Sequence, residues 1–165
     1  MEPSWSQAVG LFDKVRTLKN AITGGGAKVS LSAGRCERGQ EFEISILVQV
    51  EDNDLDIDRV YVEIEGRESI EIPDVDVTYE SDGDTDRVSE TVTAEHQTSS
   101  QAITVAGEQT LAAGQAYDFT VRATLPADSL PAYRGKHCQH HYFVKAGIAC
   151  FGNDPDTGWI ELDVC

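Results

Sequence analysis

Long apolar runs are missing from this sequence: no stretch of about eighteen apolar residues occurs, and a membrane-crossing helix needs at least that. Lysine is scarce, with five in 165 residues, and Lys plus Arg total 13 against 29 Asp plus Glu. The resulting charge of -16 at pH 7 repels phosphate backbones and anionic headgroups, so nucleic acid and acidic membrane surfaces are excluded as natural partners. The cysteines, Cys36, Cys138, Cys150 and Cys165, include no Cys-x-x-Cys pair, which removes zinc-ribbon spacing. Met1-Glu2-Pro3-Ser4-Trp5 has neither a basic n-region nor an apolar h-region, so the expected location is cytoplasmic and the expected thiols are free, with Cys150 as a small core residue. Nucleophile elbow, P-loop, Gly-x-Gly-x-x-Gly and recognisably spaced catalytic carboxylates are all missing. Gly24-Gly25-Gly26 precedes a strand pattern and cannot present a helix N-terminus to phosphate. The expectation is a protein that is not an enzyme and holds no cofactor.

What is present suffices for one domain with its own core, since a chain of this length buries roughly 68–70% of its unfolded surface. Apolar content is 40% and mean hydropathy is -0.32, as in ordinary soluble proteins. Acid spread over strand faces and loops serves solubility. With so few lysines, the composition also resembles that of proteins from salt-loving organisms.

Two periodicities divide the chain. Trp5, Val9, Phe12, Val15 and Ile22 recur at three- and four-residue spacing, which predicts an amphipathic helix over 1–23, stopped by a glycine joint at 24–26. From Ala27 the period is two. Phe42, Ile44, Ile46, Val48 and Val50 alternate with Glu41, Glu43, Ser45 and Gln49, and Val60, Val62 and Ile64 predict a third strand. Ile70 and Ile72, then Val75, Val77 and Tyr79, predict a fourth, broken by Pro73. Further strands are predicted around 88–96, 103–106, 117–125, 142–150 and 159–164, about nine in all. Short antiparallel strands without an alternating helix pattern predict an all-β, immunoglobulin-like two-sheet β-sandwich over 27–165, preceded by the one short helix. The Asp-dense stretch 74–87 predicts a mobile loop or a protruding hairpin.

Leu130-Pro131-Ala132-Tyr133-Arg134-Gly135-Lys136, followed by Tyr142-Phe143-Val144-Lys145-Ala146, resembles the segment that precedes and forms an inward strand in alpha-arrestins. Gly39-Gln40-Glu41-Phe42 is similar to the turn entering the second strand of such domains, and Asp58-Arg59-Val60-Tyr61-Val62 to their third. The helix before an Ala-Lys-Val strand resembles the opening of bacterial sporulation-control proteins of the same fold. Ala132, Cys138 and His141 depart from the pattern. A second sandwich and a Pro-Pro-x-Tyr tail are not found in the sequence. The resemblance implies a single arrestin-like lobe acting as an adaptor.

Candidate sites follow from composition. His137-Cys138-Gln139-His140-His141 is the most metal-like run; on a strand His137 and His141 share one face, so a third ligand such as His96 has to come from elsewhere. Asp52 to Asp58 with Glu63 imitates an EF-hand loop, but Ile57 stands where the turn needs glycine, and an acidic hairpin turn is the better reading. Asp82, Asp84 and Asp86 are the other cation candidates. For partner binding the residues singled out are Asp76, Tyr79, Asp82, Asp84 and Asp86 in the acidic excursion, Tyr133 and Arg134 in the crossing loop, and Trp5 and Phe12 on the helix. The expected function is a non-enzymatic interaction or scaffold module that binds protein partners, its own copies included. The alternatives are a calcium- or zinc-binding sandwich and a structural subunit of a larger assembly.

Overall fold

The computed structural model describes Thr23, Gly24 and residues 26–165; the expected helix, with Trp5 and Phe12, lies outside the described residues. Two antiparallel sheets pack face to face. The first runs β1 (Thr23–Gly24), β2 (Ala27–Ala33), β3 (Glu41–Val50) and β7 (Ala116–Thr124), in the order β1-β2-β3-β7. The second is built on β4 (Leu55–Ser81), β5 (Asp84–Ala106), β9 (Cys138–Cys150) and β10 (Ile160–Glu161), in the order β10-β9-β4-β5. The short β6 (Gln109–Leu111) pairs with β4, and β8 (Tyr133–Arg134) with β9. No helix among the described residues is long and apolar enough to cross a membrane.

Alternation in the sequence becomes layering in space. The apolar set of β3, Phe42 through Val50, is buried together with Val29 and Leu31 of β2 and faces Val60, Val62, Ile64, Val144, Ala146 and Ile148 of the second sheet. Fully burying one such side chain stabilises by roughly 1.5–3 kcal/mol. The outward face of the second sheet covers itself. Tyr61 lies so close over Gly147 that a Cβ there would stand 2.5 Å from its hydroxyl. Arg67 sits 4.7 Å from the Trp159 ring centroid and 4.9 Å from that of Phe143, while Lys145 sits 4.8 Å from Trp159 and pairs with Glu63 at 2.7 Å.

Three expectations are corrected. The third and fourth predicted strands form one 27-residue strand, because the ladder passes Pro73 through a β-bulge instead of breaking. The strands predicted around 88–96 and 103–106 likewise join in the 23-residue β5, through an irregularity between Gln97 and Ser99. The Asp52 run is not a hairpin turn, since β3 and β4 belong to different sheets. It crosses between them and is held by its own acids: Asp54 accepts from Ala113 N–H at 2.8 Å, and Asp56 accepts from the Thr110 hydroxyl at 2.6 Å.

Candidate partner-binding site

Among the described residues, one lateral edge of the sandwich is open along β2, up to the point where Cys36 bridges to Val164. Gly34 N–H donates to Glu43 O, and Glu51 N–H donates to Gly26 O, so the even-numbered residues of β2 direct their backbone groups to β3. Val29, Leu31 and Ala33 therefore turn theirs outward. β1 covers only Ala27 and Lys28. Among the described residues, the rest of that edge has no partner strand.

Beside it lies a groove of about 690 Å³ between β2, β8, β9 and β10, floored by Leu31, Val144, Ile160 and Leu162. Arg35 and Arg134 stand exposed at its mouth, and neither forms an ion pair among the described residues. His141 lines one wall. Its Nδ1 lies 2.6 Å from a Glu161 carboxylate oxygen and donates to it, while its buried Nε2 has no partner among the described residues.

The crossing loop reaches this groove because β9 pins it. Tyr142 donates its hydroxyl to Leu130 O at 2.7 Å. His140, fully buried, has Nδ1 3.0 Å from Pro131 O and Nε2 2.7 Å from the Thr98 hydroxyl. A carbonyl only accepts, so Nδ1 carries the proton and Nε2 accepts from Thr98. Arg38 donates to Ser129 O at 2.8 Å. The chain then turns at Gly135 into the short pairing of Tyr133 with His140 and Arg134 with Gln139. Tyr133 donates to Glu68 at 3.0 Å, a bond that raises its phenol above the usual range.

The singled-out residues separate into groups. Tyr133, Arg134 and His141 come together in the groove. Asp76, Tyr79, Asp82, Asp84 and Asp86 lie on the distal part of the β4–β5 hairpin, which settles the acidic excursion as a protruding hairpin. His137 turns its Nδ1 to Glu71 O at 3.2 Å, away from the His141 and Glu161 pair. Among the described residues, no three His, Cys, Asp or Glu side chains gather as a bound cation requires. Sequence reasoning missed Arg35 and the β10 wall. The signal for Arg35 was a lone cation just past the alternation of β2; for the β10 wall it was the alternation of Ile160, Leu162 and Val164 within the strand predicted over 159–164, which nothing local ties to a groove beside β2.

A family model, the arrestin (or S-antigen) N-terminal domain, matches residues 38–153. The chain belongs to this arrestin family. In the arrestin-like frame the match begins in the turn before β3 and ends just after β9, so it takes in both sheets and the crossing loop. Among solved structures, the sporulation control protein Spo0M from Bacillus subtilis is similar, with a TM-score of 0.54 and 21% identity over 85% of this chain. The match covers 49% of that protein, so the arrestin-like chain spans about half its length. A comparison with curated protein sequences gives no match.

Proposed function

We propose that the protein is a non-enzymatic, adaptor-like interaction module that takes an extended segment of a partner protein onto the free edge of β2. The observation that carries this reading is the outward row of backbone groups at Val29, Leu31 and Ala33 beside the apolar groove. Unpaired N–H and C=O groups accept a strand, and the pockets alongside read its alternate side chains. Arg35 and Arg134 favour an acidic side chain at their end of the mouth, while Glu161 and Asp163 on the β10 side favour a polar or basic one. The arrestin family membership supports a regulatory scaffold in the coarse sense, and a cytoplasmic setting agrees with four free cysteines.

Ala33→Pro tests the proposal. It deletes one outward donor while leaving the inward ladder to β3 intact, since proline is tolerated where its missing N–H would face solvent. The variant should melt within about 2 °C of the parent. In a pull-down from native lysate read by mass spectrometry, it should lose partners that the parent holds. If it retains all of them, the β2 edge is not the site.

A further inference from the structure

The inner face of the second sheet does not end where the sandwich ends. Val60, Val62, Ile64, Gly66, Glu68, Ile70 and Ile72 follow one another at period two on the core side of β4, and β9 accompanies them only as far as Ile70. The crossing loop, tied to His140 and Tyr142, covers the layer at Gly66 and Glu68. Glu71 still bonds the chain entering β9, its N–H donating to His137 O at 2.8 Å; beyond it the two strands continue alone to the Asp82-Gly83 turn, whose φ angles of 49° and 87° suit a two-residue hairpin loop.

This free ribbon keeps its apolar side. Cross-strand pairs share a face, so Ile70 with Ala94, Ile72 with Val92, Val75 with Glu90, Val77 with Val88 and Tyr79 with Asp86 all point the same way. The phase of the sequence shifts by one between Ile72 and Val75. The bulge at Pro73 and Asp74, with Asp74 at φ 56°, absorbs that shift and keeps both halves of the stripe on one side. Ile70, Ile72, Val88, Val92 and Tyr79 are each 39–51% exposed. Tyr79 donates to Glu90 at 2.7 Å, which lays its ring along the face.

We infer that this face is the docking site for a cationic amphipathic helix of a partner protein. Shape argues for a helix: a single pair of strands about 5 Å apart is too narrow to oppose a second sheet, yet matches a helix about 10 Å across. From Ile70 to Tyr79 the stripe runs about 30 Å, the length of a helix of about 20 residues. Charge argues for basic flanks. Residues 71–95 hold nine Asp and Glu against one arginine, with Glu90 and Asp86 on the apolar face itself. That same-sign surplus opposes a second copy, which would bring nine acids against nine.

The test uses the full chain and a fluorescent helical peptide of about 20 Leu and Lys residues, with its Leu and Glu counterpart as control. The Lys peptide should bind, the Glu peptide should not, and binding should weaken by about tenfold or more between about 50 mM and about 500 mM salt. Val77→Glu/Val88→Glu should weaken binding of the Lys peptide by about tenfold or more at an unchanged melting temperature. Adhesion of the peptide to the acidic chain at large predicts the reverse, because the variant adds negative charge, so unchanged or tighter binding overturns the inference. Equal binding of both peptides, or no binding, also overturns it. A dimer in light scattering that the double variant abolishes assigns the face to a second copy instead.

Discussion

His140 is a polar side chain where the alternation of β9 otherwise places Tyr142, Val144 and Ala146. Its burial is tolerable because both ring nitrogens are satisfied, one by the loop and one by β5. His140→Ala should cost about 2–4 kcal/mol, from a cavity plus two stranded partners, whereas Tyr142→Phe should cost about 1 kcal/mol, both read from urea unfolding. Equal losses would mean that the histidine is not the pin. The Tyr142-x-Val144-x-Ala146 pattern was legible in the sequence; the role of His140 was not, since its partners lie 9 and 42 residues away. Cys36 gives the second residue-scale prediction. Burial, reinforced by the nearby Cys165, pushes its thiol from 9.0 to about 11. Between those values the unfolded chain releases a proton that the folded chain keeps, so stability falls as pH rises, by about 2–3 kcal/mol from this group. Burial raises Tyr61 and Tyr142 in the same sense. Burial alone would lower Lys145, but its hydrogen bond and ion pair with Glu63 outweigh that and raise it, so this contribution is also lost at alkaline pH. Melting temperature should decline from about pH 9 to pH 11, less steeply in Cys36→Ala. At neutral pH a thiol reagent should label Cys138 and Cys165 well before Cys36, which is buried.

Strand count was the weak point of the sequence pattern at the level of elements. Period-two runs show where strands lie but not whether two runs are one strand interrupted by a bulge, and β4 and β5 were each split on that account. The Asp82-Gly83 pair between alternating stretches was the available signal for the hairpin. The bulge itself is testable. Deleting Asp74 removes its extra residue and leaves Val75 opposite Glu90, so the apolar face survives. Inserting one residue between Glu90 and Thr91 instead pairs the strands one for one, which turns Val75, Val77 and Tyr79 to the opposite side from Ile70 and Ile72. Both variants should melt like the parent, because the ribbon lies outside the core. Only the insertion should lose the Leu and Lys peptide. Peptide binding that survives the insertion would mean that a continuous stripe is not what the ribbon presents.

The charge of the whole molecule acts on folding and on docking in opposite directions. Compaction draws 29 carboxylates together against 13 basic residues, and the described ion pairs, such as Glu63 with Lys145, offset little of that surplus. Screening this repulsion favours the folded state. Raising KCl from about 0.1 M to about 2 M should lift the melting temperature by about 5 °C or more, beyond any loss from screened pairs. Docking of a cationic helix on the ribbon draws on the same surplus as attraction, so the same salt should weaken it. A melting temperature that does not change with KCl would mean that the acid is spaced widely enough for solubility alone. A melting temperature that rises while peptide affinity falls requires one charge distribution to serve both effects: repulsion across the sandwich, and attraction concentrated where residues 71–95 leave the core.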